Sequence, residues 1–132
     1  MRISTAAMTT IALAGVVAGV WAQQATLKRT VLQQADISVA GREAVTAMVE
    51  FQPGGSPGRH THPGEEIGYV VEGTFLLEQD GKPAVNLKAG DAFIISAGAI
   101  HNATYTGKST GRVLATYIVE KGKPMATLAP VK

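Results

Sequence analysis

Cysteine is absent from the 132 residues, which excludes disulfides, thiolate metal ligands and a cysteine nucleophile together. Any metal must therefore be held by nitrogen and oxygen. A charge excess is missing too: twelve Lys+Arg against ten Asp+Glu give +2, and losing Arg2 with a leader would leave +1. The basic residues are scattered from Lys28 and Arg29 to Lys132 without forming a cluster. That distribution gives no footing for nucleic acid or an anionic membrane surface. Past the N-terminus there is no convincing amphipathic helix, coiled-coil heptad, Walker loop or low-complexity run. Histidine is scarce, with His60, His62 and His101 the only three. A chain of this length makes one domain around a single core.

Residues 1–22 read as a secretory leader. Arg2 supplies a positive n-region, Ile11 to Val20 an apolar h-region, and Val20-Trp21-Ala22 a small-residue cleavage site before Gln23. The apolar run Ile11 to Trp21 is 11 residues. A bilayer crossing needs roughly 18–20. Cleavage would leave 132 − 22 = 110 residues in a periplasmic or secreted protein, with no membrane attachment afterwards. An uncleaved anchor is the competing reading.

Gln23 to residue 44 reads as a weakly patterned lead-in, with Thr30-Val31-Leu32 a short strand and Gly41 a break. From Val45 apolar side chains alternate: Val45, Ala47, Val49 and Phe51 share one face, the period of a half-buried strand, and Pro53-Gly54-Gly55 ends it. Further strands follow at Ile67–Val71, Thr74–Glu78, Ala84–Leu87, Ala92–Ser96, His101–Thr106 and Val113–Val119. Glu72-Gly73 marks a bend or bulge, and Asp80-Gly81 is a hairpin signal. The tail 121–132, with Pro124 and Pro130, reads as loosely ordered. Short strands at this spacing predict an all-β sandwich or barrel, with residues 45–120 as its body.

His60 and His62 lie two residues apart, so an extended backbone points both rings to one face, and Glu66 keeps that parity. Two imidazoles and one carboxylate converging on one side of a sheet outline a transition-metal site. His101, 35 residues beyond Glu66, completes the histidine set. Glu65 breaks the parity and is expected to point outward. Arg59 breaks it as well and suits a salt bridge or solvent. Tyr69 and Phe93 read as core aromatics.

These residues resemble the cupin family, small double-stranded β-helix or jelly-roll barrels. The first cupin motif, G-x5-H-x-H-x3-E-x6-G in its shorter spacing, is met by Gly54, His60, His62, Glu66 and Gly73. In the second, Gly90, Gly98 and His101 fit, while Ser96 stands where proline is expected and Tyr105 where asparagine is expected. The resemblance runs from about Val45 to Val119. It implies one divalent transition-metal ion (Mn, Fe, Ni, Cu or Zn) held by His60, His62, Glu66 and His101. It also implies a small-molecule ligand and a homodimer. Tyr105 shares parity with His101 and is expected in the cavity as a proton donor, with Glu66 doubling as ligand and base. Two functions then compete: a metal-dependent enzyme of dioxygenase-like chemistry acting on a small organic molecule, and a non-catalytic metal or small-molecule binder. One fold hosts both, so the site must decide.

Overall fold

The alternation seen at Val45 extends over two long central strands, and they set the layout. The computed structural model describes residues 26–131. Its strands are β1 (Leu27–Asp36), β2 (Arg42–Phe51), β3 (His60–Thr61), β4 (Gly64–Glu72) and β5 (Thr74–Gln79). They continue with β6 (Val85–Lys88), β7 (Ala92–Ile95), β8 (His101–Tyr105), β9 (Gly111–Glu120) and β10 (Thr127–Leu128). Two five-stranded sheets result, ordered β1-β2-β9-β4-β7 and β10-β3-β8-β5-β6. All pairings are antiparallel, and among the described residues every element is a strand. The all-β expectation holds. The proposed signal helix falls in residues 1–22, outside the described residues.

Strand β9 has buried and half-buried residues alternating without a break along its ten positions. Its inward face, Val113, Ala115, Tyr117 and Val119, meets the inward faces of β2 and β4 on either side. The opposite sheet contributes Phe75, Leu77, Leu87 and Tyr105 to the same core. Burying each large side chain of this kind is worth about 1.5–3 kcal/mol against exposure, which is what closes the two sheets on one another.

Three segments depart from the sequence reading. The lead-in is a full strand: β1 pairs with β2 from Leu27↔Phe51 to Asp36↔Glu43, with a register shift between Val31 and Gln33. The tail is docked, because β10 pairs with β3 and the Ala129 amide donates to the Arg59 carbonyl at 2.9 Å. Tyr69 is 47% exposed on the outer face, whereas Phe93 packs against the core as expected. The bend at Glu72-Gly73 is present: the β4–β9 register shifts between Val70 and Glu72, and Gly73 has φ +92°.

Candidate metal centre

The site forms where the chain crosses between the sheets. Strand β3 places His60 directly opposite His101 of β8. Two residues on, His62 lies beyond the end of β3, and the chain then enters the other sheet at Gly64. A Cβ on Gly64 would sit 1.8 Å from the Ile118 carbonyl oxygen, so only glycine lets β4 pack this tightly beside β9. Glu66, two residues later on the same inward face, is thereby aimed back at the histidines.

All four side chains are buried, and one donor atom from each lies within 4.8 Å of the others. His60 Nε2 is 3.2 Å from His62 Nε2, and Glu66 Oε2 is 3.1 Å from both His62 Nε2 and His101 Nε2. The other ring nitrogens settle the tautomers. Nδ1 of His60 meets the Gly58 carbonyl at 2.6 Å, that of His62 the Met125 carbonyl at 2.7 Å, and that of His101 the Ala99 carbonyl at 2.9 Å. A carbonyl only accepts, so each Nδ1 donates its proton and each neutral ring presents its Nε2 lone pair to the centre.

Burial is the largest effect on His60 and lowers its pKa to about 4, with repulsion from His101 and His62 adding to it. Burial acts the other way on Glu66, but hydrogen bonds from His101 and His62, donated when those rings carry a proton on Nε2 as well as Nδ1, outweigh it and hold the carboxyl down to about 2. Once the Nε2 protons are gone, three lone pairs and a carboxylate share one small space. A divalent cation relieves that arrangement, and imidazole with carboxylate suits the first-row transition metals. The residues fit such an ion.

The comparisons agree with this geometry. The family model described as "Cupin domain" matches residues 47–117. The chain belongs to the cupin family. It is 36% identical over 74 residues to an oxalate-binding protein of Thermotoga maritima, a match covering 55% of this chain and 60% of that one. In fold this cupin is similar to an oxalate oxidase solved with glycolate (TM-score 0.62, 24% identity, 78% of this chain and 55% of that chain). It is likewise similar to the DMSP lyase DddQ of Ruegeria pomeroyi DSS-3 (TM-score 0.64, 20% identity, 79% and 52%). The cupin spans less than two thirds of the length of the curated relatives it matches.

Three contributors to the site were not singled out from sequence. Tyr117 pairs with Glu66 across β9 and β4, and its ring centroid is 4.8 Å from that of His62. Burial first, then the Glu66 charge, raises its hydroxyl pKa, and the Arg29 charge opposes them. Arg29 of β1 lies over that ring at 4.4 Å. The third contributor is the Met125 carbonyl. Inward alternation along β9 was a usable signal for Tyr117; the other two had none.

Tyr105 stands at the far end of β8 from His101, buried against Phe75 with centroids 5.1 Å apart. Four strand residues span about 13 Å, which sets its ring apart from the donor atoms. Glu65 pairs with Ile118 on the outward face and is half-buried. Arg59 makes a salt bridge to Asp80 at 2.5 Å, as its parity suggested.

Proposed function

We propose that this cupin holds one divalent transition-metal ion through His60, His62, Glu66 and His101 and is an enzyme acting on a small organic molecule by dioxygenase-like chemistry. The observation that carries the metal reading is the donor geometry: three Nδ1 atoms on backbone carbonyls turn the three Nε2 atoms toward the Glu66 carboxylate, with one donor atom from each residue within 4.8 Å of the others. An ion held there supplies Lewis acidity and coordination positions beyond the four protein donors. Around it Glu66 remains ionised, and burial beside that carboxylate keeps the proton on the Tyr117 hydroxyl. We assign to Tyr117, rather than Tyr105, the proton-holding role beside the substrate, because it adjoins Glu66 and lines the same cavity. Oxalate oxidase and DMSP lyase, similar in fold, lend support to a small-molecule ligand.

Elemental analysis of the purified protein should find about one transition-metal ion per chain. Oxygen consumption with a panel of small organic molecules, from short aliphatic acids and thiols to enediols and phenols, then tests turnover. The competing reading, a non-catalytic binder, draws on one feature: the cavity walls offer no proton donor besides Tyr117 and the histidines. Full metal occupancy with no turnover of any substrate would favour it. We further place the chain in the periplasm or outside the cell, on the strength of the leader-like residues 1–22. N-terminal sequencing of the exported protein should begin at Gln23.

A further inference from the structure

The interior of this barrel is not completely filled beside the donor set. A cavity borders His60, Glu66 and His101 and continues between the sheets. Apart from these three and Tyr117, its walls are apolar, built mainly by Val49, Phe51, Val70, Phe75, Leu87 and Val113. Glu66 is the one charged side chain among the wall residues, with no lysine or arginine. About 40 Å³ is open to the centre of a water-sized sphere. That admits about three waters, and is well short of the roughly 150 Å³ apolar cavity that binds benzene.

Solvation then discriminates between ligands. A second charge carried into this space would lose its water and meet no opposite charge among the wall residues, since Arg29 lies over the Tyr117 ring and outside the wall. A polar body would strand its hydrogen-bonding groups. An apolar body gains instead, about fourfold in affinity for each carbon buried.

We propose that the ligand of this cupin carries one oxygen or sulfur donor at its metal-facing end and an uncharged aliphatic body of about three carbons. This rests on the metal-centre reading and narrows its substrate class. Dicarboxylates, charged at both ends, and six-membered rings are excluded.

Acetate, propanoate and isobutyrate share one donor and differ only in the body. Titrated by NMR against nickel-loaded protein of measured metal content, they should tighten about fourfold per added carbon. Benzoate should bind more weakly than propanoate. A flat series, or benzoate matching isobutyrate, overturns the proposal. Phe93→Ala, which opens one wall, should admit benzoate. Should that variant fail to fold, Ala103→Leu narrows the same cavity and should weaken isobutyrate while sparing acetate. Xenon separates this inference from the metal reading. Metal-free protein under xenon should take up the gas among Phe75, Leu87 and Val113, as dry apolar cavities do. Ordered water there with no xenon overturns the apolar body whether or not metal is held. Xenon uptake without any metal binding removes the donor end and the metal reading together.

Discussion

His60 stands directly opposite His101 on the β3–β8 ladder, and their ring centroids are 4.3 Å apart. Two imidazoles so placed repel one another when protonated, and both also present lone pairs when neutral. A shared cation resolves the conflict, so each ring depends on the other for its purpose. Replacing His60, His62 or His101 by alanine should lower metal affinity well beyond the 10–100-fold typical of residues that only orient a ligand. Glu66→Ala should behave like the histidine variants, and Glu65→Ala should change little. Competition with a chromogenic chelator measures all five. Metal loss in Glu65→Ala with retention in Glu66→Ala would reverse the assignment of inward and outward faces on β4.

The same site makes the metal-free protein acid-sensitive. Unfolded histidine takes up a proton near pH 6.5, while His60 in the fold resists it down to about 4. Between those values the unfolded chain binds more protons, so stability falls as pH drops and levels off below the folded value. Glu66 acts in the same direction lower down: its contribution is complete above the ordinary carboxyl value of 4.5 and is lost as pH falls toward 2. His60 alone should cost roughly 3 kcal/mol across its window. Urea unfolding at a series of pH values checks this. His60→Ala should flatten the upper part of the curve, and an unchanged curve would show that the ring is not buried neutral.

Where each structural feature was readable follows from how its residues are used. Strands β2 and β9 bury one face each, so burial imprinted a two-residue period on Val45–Phe51 and Val113–Val119. Strand β1 lies at a sheet edge and is exposed from Thr30 onward, which left no alternation to read. Its inward residues, Leu27 and Arg29, are too few to make a pattern. The four donor side chains were legible because metal chemistry restricts residue type and strand geometry restricts spacing. The Met125 carbonyl was not, since every residue carries a carbonyl and β10 is two residues long. Tyr69 could have been placed correctly: it shares parity with Glu65, so the rule that turned Glu66 inward also turned Tyr69 out.

Because Met125 lends its carbonyl to His62 Nδ1, the segment past β9 belongs to the site. Ending the chain at Glu120 removes that acceptor along with β10. His62 should then lose its fixed tautomer, and metal affinity should fall about 10–100-fold, as for other groups that orient a ligand. Nitrogen-15 shifts of the imidazoles in the metal-free protein report the tautomer independently of affinity. Met125→Ala keeps the carbonyl and should retain both. Equal loss in the two variants would mean that the Met125 side chain, packed against the core, is what matters.

Gly64 carries the last expectation. An added methyl would meet the Ile118 carbonyl carbon at 2.7 Å and its oxygen at 1.8 Å, both backbone atoms that no rotamer change can move. Gly64→Ala must therefore push β4 away from β9 two rungs from Glu66↔Tyr117. Overpacking of this kind costs about 1–3 kcal/mol or more. Displacing Glu66 from the histidines should reduce metal affinity as well, so the variant should lose stability and binding together. By contrast Gly81→Ala, at a hairpin turn with φ +78° and open space around it, should cost stability through backbone strain alone and leave metal binding intact. Denaturant titrations paired with metal titrations on both variants separate the two effects. Full metal affinity in Gly64→Ala would show that β4 can shift without carrying Glu66 away from the centre.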